Sequence, residues 1–284
     1  MSSEMGLTVR RVLIYLVLAF VPVYLLTILG SDAHAEFKWQ FASVSVMWYP
    51  AIANFLTRLL TKEGMQDSLL RLHCRGNLKY YLIAFTGPLL LGLLSGVIFF
   101  FLFAKKRDIA AAIEAQNGIA QILGTMLMLY GTAMAQLFMG FGEEFGWRGY
   151  LTPKLEQLMP SPAAVIVSGI IWGLWHAPLI LRGYNFGEAH PYWGLVCMCL
   201  SCVMLSFILT WMTKKTQSVF PAAIFHMVLD SVMTWASLLP VYHEAEAIME
   251  EHTFLMSCIL MCVTPWVLTI PAIVGLYRKP AETA

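Results

Sequence analysis

Long apolar runs separated by short polar ones organise this chain. Eight such runs, about 12–29, 41–60, 80–103, 119–141, 163–181, 192–212, 219–238 and 254–277, follow one another with little sequence between them. A helix rises about 1.5 Å per residue and the hydrocarbon core of a bilayer is about 30 Å thick, so a run of about 20 apolar residues suits one crossing. Leu, Ile, Val, Phe, Met and Ala fill the runs, without the ~10-residue polar alternation of a membrane barrel. The pattern predicts an all-α polytopic membrane protein of about eight transmembrane helices. No polar stretch is long enough to build a soluble domain, so residues 1–284 read as a single membrane-embedded domain without internal repeat.

Composition sharpens this. Hydrophobic residues make up 59% of the 284 and charged residues 12%, whereas a soluble domain carries about 25% charged. The net charge of +1 offers no positive field for nucleic acid, and membrane lipid is the expected surrounding. Basic residues are retained on the cytoplasmic side. With the N-terminus inside, 13 of the 18 Lys and Arg fall on that side and five (Lys38, Lys105, Lys106, Arg107 and Arg182) on the other, so both termini are expected to be cytoplasmic. The loop 239–253, acidic and free of Lys and Arg, fits the opposite face, whereas Lys105, Lys106 and Arg107 run against the rule. The segment Ile109–Ala120 reads as a short amphipathic helix lying in the interface. Arg10 and Arg11, an apolar run and Ala33-His34-Ala35 also have the order of a cleavable signal peptide, but a run of about 18 is long for one, and the segment is read as a retained span. Six cysteines lie mostly inside spans and read as small apolar residues; those at 197, 199 and 202 lack the C-x-x-C spacing of a metal site.

A charged side chain at the bilayer centre costs about 2.5–3.5 kcal/mol even on a lenient scale, so the few ionisable residues within spans carry the functional signal. Three clusters stand out: Gly140-Phe141-Gly142-Glu143-Glu144-Phe145-Gly146-Trp147-Arg148, Trp172-Gly173-Leu174-Trp175-His176, and His226-Met227-Val228-Leu229-Asp230. Residues four apart share a helix face, which pairs Glu144 with Arg148, Trp172 with His176 and His226 with Asp230. Glu143 is left on a neighbouring face, and two adjacent carboxylates disfavour each other's ionisation, an arrangement that suits a general base. Gly169 and Gly173 form a small-xxx-small pair that admits a close neighbour helix, and Pro178 ends or kinks the helix just past His176. The plain alternatives are a solvated helix end for 143–148 and a satisfied core histidine at 176. His226 and Asp230, inside a span, both need partners away from lipid, and the three clusters together predict one polar cavity. As drawn, Glu143 falls at the cytoplasmic end of its span and His176 about 20 Å along the next, so the two meet only if the helices tilt or the span of Glu143 starts later than drawn. The remaining histidines, His34, His73, His190, His243 and His252, are expected in solvated loops.

A carboxylate, two histidines and an aspartate around water suit hydrolysis: Glu143 as the base, His176 orienting the water, and His226 donating to the developing oxyanion. No serine or cysteine sits in a recognisable nucleophile motif, and H-E-x-x-H is absent. Two other readings stay open. One is a metal-dependent hydrolase with His176, His226 and Asp230 or Glu143 holding Zn²⁺; the other is a proton-coupled transporter or a non-catalytic membrane scaffold.

In order along successive apolar segments, Glu143-Glu144-x-x-x-Arg148, Trp172-x-x-x-His176 and His226-x-x-x-Asp230 resemble the motifs of the CPBP family, the CAAX proteases and bacteriocin-processing enzymes also called the ABI family. The resemblance implies an intramembrane, glutamate-type endopeptidase without a cofactor, acting on a membrane-associated or lipidated, including prenylated CAAX-type, peptide. It implies that Glu143 and His176 activate water, that His226 and residue 230 form the oxyanion site, and that Glu144, Arg148 and Trp172 support the site. Two positions depart from the motif: Trp172 stands where Phe is usual, and Asp230 where the prenyl-protein proteases have Asn. An ionised Asp accepts hydrogen bonds only, which makes it an orienting partner of His226 unless it is protonated.

Overall fold

A computed structural model describes residues 3–29, 46–105 and 108–278. The Ala33-His34-Ala35 triplet, the first residues of the second expected span, and Lys38, Lys106 and Arg107 lie outside these. Among the described residues there is no β-strand, and the protein is an all-α polytopic membrane fold. The helices are α1 (Ser3–Leu29), α2 (Tyr49–Leu60), α3 (Leu78–Phe103), α4 (Ile109–Ala115), α5 (Ile119–Ala135), α6 (Leu137–Gly146), α7 (Thr152–Glu156), α8 (Ser161–Trp175), α9 (Ala177–Ile180), α10 (Pro191–Thr216), α11 (Phe220–Val228), α12 (Thr234–Leu238), α13 (Ala245–Cys258) and α14 (Trp266–Tyr277). Three π-helical turns, at Trp147–Leu151, Leu229–Met233 and Ile259–Val263, join some of these into longer rods.

Four of these rods are long and apolar enough to cross a membrane: Glu4–Thr27, Leu78–Phe103, Pro191–Thr216 and the continuous run Phe220–Tyr277. A fifth arises if α4 and α5, bent by 64° at their junction, count as one. The other expected crossings are divided. The run at 119–141 breaks at Gln136 into α5 and α6, and the run at 163–181 breaks at His176 into α8 and α9, with Pro178 in the first turn of the second piece. Proline also opens α2, α8, α10 and α11, where the missing N–H is one that the first turn leaves unbonded in any case.

Each rod is two-sided, with lipid-facing and protein-facing stripes both apolar. On α1, Tyr15, Ala19 and Val23 are fully buried, while Leu13, Val17, Val21 and Leu25 are about half exposed. The buried stripe packs on the centre of the bundle: Tyr15 meets the rings of Trp147 and Tyr150, and Trp175 Nε1 donates to the Ala19 carbonyl at 3.1 Å. The glycine pair on α8 works as its spacing predicts. A Cβ on Gly169 or Gly173 would stand 2.5 Å from the Cα of Val203 or Cys199, so α10 lies backbone to backbone against α8. Gly140 and Gly146 do the same on opposite sides of α6, against α11 at Ala223 and α2 at Pro50.

Segments expected on one side of the membrane meet at one end of the bundle. Arg11, Arg58 and Lys154 converge on the 61–69 connection: Arg58 pairs with Asp67, Lys154 with Glu63 and with Asp67 at 3.4 Å, and Arg11 with Glu63 at 3.3 Å. Arg58 also donates to Asn54 Oδ1 at 2.7 Å and to the Gly64 carbonyl at 2.8 Å, and Asn54 in turn donates to the Phe145 carbonyl on α6 at 2.9 Å. Counted from the sequence as topology signals, Arg58 and Lys154 are in fact buried. At Asp67 burial works to raise the carboxyl, but the bonds and charges of Arg58 and Lys154 outweigh it and hold the group below the usual carboxylate range.

At the other end, the backbone N–H of Lys105 donates to Glu244 at 2.9 Å, which sets this residue beside the acidic connection 239–253. That connection differs from the loop expected there, being a 3₁₀ turn, Leu239–Glu244, followed by α13. His252 accordingly sits on a helix, half-buried and stacked on Phe103, while His73, His190 and His243 are exposed as expected. The helix expected from 109 is α4, capped by the Asp108 carboxylate accepting from Ala111 N–H at 3.0 Å.

Candidate active site

Glu143 and Glu144 lie in the middle of a helical rod, because α6 begins only at Leu137 and runs through the π turn 147–151 into α7. This corrects the depth drawn from the sequence, where Glu143 closed a span that began near residue 119. The break at Gln136 restarts the helix and carries the Glu pair inward, to the level of Trp172 on α8.

The two carboxylates then part company. Glu144, with no exposed surface, accepts from Arg148 Nη1 at 2.9 Å, the i,i+4 pair that the spacing predicts, and its same oxygen contacts His226 Nδ1 at 2.9 Å. A carboxylate oxygen only accepts, so Nδ1 of His226 carries the hydrogen in this bond. Arg148, itself buried, extends to Ser206 Oγ at 3.0 Å and lays its guanidinium 4.3 Å over the Trp172 ring. Glu143 turns the other way. Its Oε2 accepts from the indole N–H of Trp172 at 2.7 Å and of Trp147 at 3.2 Å.

His176 caps the C-terminus of α8, its Nδ1 2.9 Å from the Trp172 carbonyl one turn back. A carbonyl cannot donate, so Nδ1 holds the proton and Nε2 presents a lone pair. On α11, the Nε2 of His226 is 3.7 Å from Asp230, whose side chain is 46% exposed. Asp230 sits in the π turn Leu229–Met233, whose wider spiral breaks the strict i,i+4 register. From the sequence, Asp230 is the orienting partner of His226; at hydrogen-bonding distance that place is taken by Glu144.

Glu143, Trp172, His176, His226 and Asp230 all line one cavity of about 470 Å³, walled also by apolar side chains such as Met47, Met139, Met198 and Leu205. That volume is in the range of small-ligand sites, roughly 300–1,000 Å³. The three sequence clusters therefore share one cavity, fed by α6, α8 and α11. Trp147 and Ser206 were not singled out from the sequence. Trp147 carried a usable signal, standing four residues after Glu143, whereas Ser206 on α10 carried none. Among the described residues no three His, Cys, Asp or Glu side chains are grouped to hold a metal ion, and each site histidine uses its Nδ1 on a protein acceptor. The six cysteines are free thiols.

Residues 125–232, the stretch that holds every motif, match the family described as type II CAAX prenyl endopeptidase, Rce1-like. The chain is also 37% identical over 93 residues to CAAX prenyl protease 2 of Methanococcus maripaludis, an alignment covering 31% of this chain and 34% of that protein. The aligned part is thus about a third of the relative's length. Over residues 125–232 the chain is thus similar to the CAAX prenyl endopeptidases, in keeping with motifs that resemble the CPBP family.

Proposed function

We propose that this protein is an intramembrane endopeptidase that hydrolyses a peptide bond in a membrane-associated or lipidated substrate, with a prenylated CAAX-type tail as the favoured class. The observation that carries the reading is the convergence of Glu143, His176, His226 and Asp230, from three separate helices, on one cavity. Glu143 takes a proton from a water that also donates to the lone pair on His176 Nε2. The hydroxide so formed attacks the peptide carbonyl carbon, and the oxyanion accepts a hydrogen from His226 Nε2. As an imidazolium His226 donates from both nitrogens, Nδ1 to Glu144 and Nε2 into the cavity, with the Asp230 carboxylate facing its charge. Glu143 then returns its proton to the leaving amine. The apolar wall of the cavity suits a hydrocarbon chain beside the scissile bond, and the names of the matched family and relative favour a prenyl group.

The test is mass spectrometry of a farnesylated C-terminal peptide incubated with the purified full chain in detergent. Release of the last three residues by the wild type, absent in Glu143→Gln, is the expected result. A wild-type protein that cleaves neither the prenylated peptide nor its unprenylated counterpart overturns the reading, and equal cleavage of both removes the lipid from it.

A further inference from the structure

Trp172 touches four members of the candidate site, Glu143, Arg148, His176 and His226. Its N–H is bonded to Glu143 Oε2 at 2.7 Å, its carbonyl to His176 Nδ1 at 2.9 Å, its ring lies under the Arg148 guanidinium at 4.3 Å, and the ring edge of His226 is 5.4 Å away. An indole N–H only donates, so the bond to Glu143 has one direction. Trp147 supplies a second indole hydrogen to the same oxygen at 3.2 Å. Neither ring has room to move: Trp147 is fully buried, edge-on to Trp175 at 5.8 Å and to Tyr15 at 5.9 Å, and Trp172 is 3% exposed.

We infer that Trp172, seconded by Trp147, is a positioning residue that pins Glu143 by Oε2 and so assigns Oε1 to the reacting water. Two donors on one oxygen fix the carboxylate plane and draw electron density from that oxygen, leaving the unclamped one as the better proton acceptor. The Arg148 cation over the Trp172 ring strengthens the N–H as a donor by withdrawing charge from the indole. Through its carbonyl the same residue fixes the His176 tautomer, so the base and its water-orienting partner are set by one side chain and its own backbone. A phenylalanine at 172 keeps a ring in the slot and the backbone carbonyl, and loses the hydrogen bond together with part of the ring under Arg148. The inference rests on Glu143 being the base, so its test has an arm that needs no cleavage.

That arm is the indole ¹⁵N–¹H spectrum of the full chain in detergent micelles, with the two resonances identified by their loss in Trp172→Phe and Trp147→Phe. Both are expected downfield, and both are expected to move upfield in Glu143→Ala, that of Trp172 further. A Trp172 resonance that Glu143→Ala leaves in place overturns the clamp. The kinetic arm compares Trp172→Phe with wild type at equal folded concentration. Since a hydrogen bond to a charged group is worth enough to change a rate about tenfold to a hundredfold, kcat is expected to fall by that factor with KM within about twofold. Trp172→His, which restores a ring N–H, is expected to regain part of it. Unchanged kcat in Trp172→Phe overturns the positioning role. Should the wild type cleave nothing, the peptidase reading fails while the indole shifts still decide the clamp.

Discussion

Arg58, Glu63 and Lys154, buried and joined by the more exposed Asp67, form one charge cluster at an end of the bundle, and Glu144, Arg148 and His226 form another beside the cavity. Both take basic groups out of water, and both join helices distant in sequence. In the first, among the described residues, no buried side-chain polar atom lacks a partner, and Tyr150 OH adds a bond to Glu63 at 3.0 Å. In the second, Glu144 Oε2 and Arg148 Nε are buried with no hydrogen-bond partner among the described residues, and His226 turns one nitrogen to a cavity. Buried polar groups are nearly always satisfied, and the exceptions gather where a structure holds groups ready for something else. The first cluster ties a loop to three helices. The second borders the cavity through His226.

Breaking an ion pair in either cluster separates the two most sharply. Removing one partner of a buried pair costs about 3–5 kcal/mol, because the other charge is left uncompensated. Lys154→Met and Glu144→Gln are therefore both expected to lower the detergent denaturation midpoint by a comparable amount. Only Glu144→Gln is expected to lose turnover per folded molecule, since it alone unseats His226. Equal turnover in the two variants would erase the distinction. His226→Gln comes next: if His226 is the oxyanion donor proposed above, kcat is expected to fall by about 10²–10³, with a much smaller effect on the denaturation midpoint.

Gly173→Ala probes the wall between the regions. Its Cβ would meet the Cys199 Cα at 2.5 Å, and overpacking of this kind costs about 1–3 kcal/mol. The displaced turn carries His176, so kcat is expected to fall with stability; a variant as stable as wild type would show that α10 can yield. The smallest effect concerns acid. Asp67 has a lowered folded value, so its stabilising contribution is present above the ordinary carboxylate value, about 4, and is lost as pH falls through the depressed one. Wild type and Asp67→Asn are expected to differ in midpoint at neutral pH and to converge in acid, once pH has fallen through the depressed value. A difference that persists in acid would contradict the pairing.

The apolar runs made the solvent and the helical class legible, i,i+4 spacing anticipated the Glu144–Arg148 pair and a close neighbour at the α8 glycines, and Pro178 anticipated the break at His176. The sequence could not announce that the helix restarts at Leu137, since Gln136 is one polar residue with neither glycine nor proline beside it, so the depth of Glu143 was misjudged. It also could not separate the two kinds of basic residue: Arg58 and Lys154 look like topology signals because burial depends on Glu63 and Asp67, which a loop brings to them. The partners of His226 were legible only in part: Asp230, one turn on, stands 3.7 Å from its Nε2, but Glu144, which holds its Nδ1 at 2.9 Å, arrives from another helix.

The central claim is that the cavity cluster performs chemistry and the end cluster does not. Its most direct test measures peptide cleavage per folded molecule for Glu143→Gln beside Arg58→Met, both in the full chain. Glu143→Gln is expected to melt close to wild type and release no product, while Arg58→Met melts lower and cleaves at the wild-type rate. A folded Glu143→Gln protein that cleaves as fast as wild type would contradict the account.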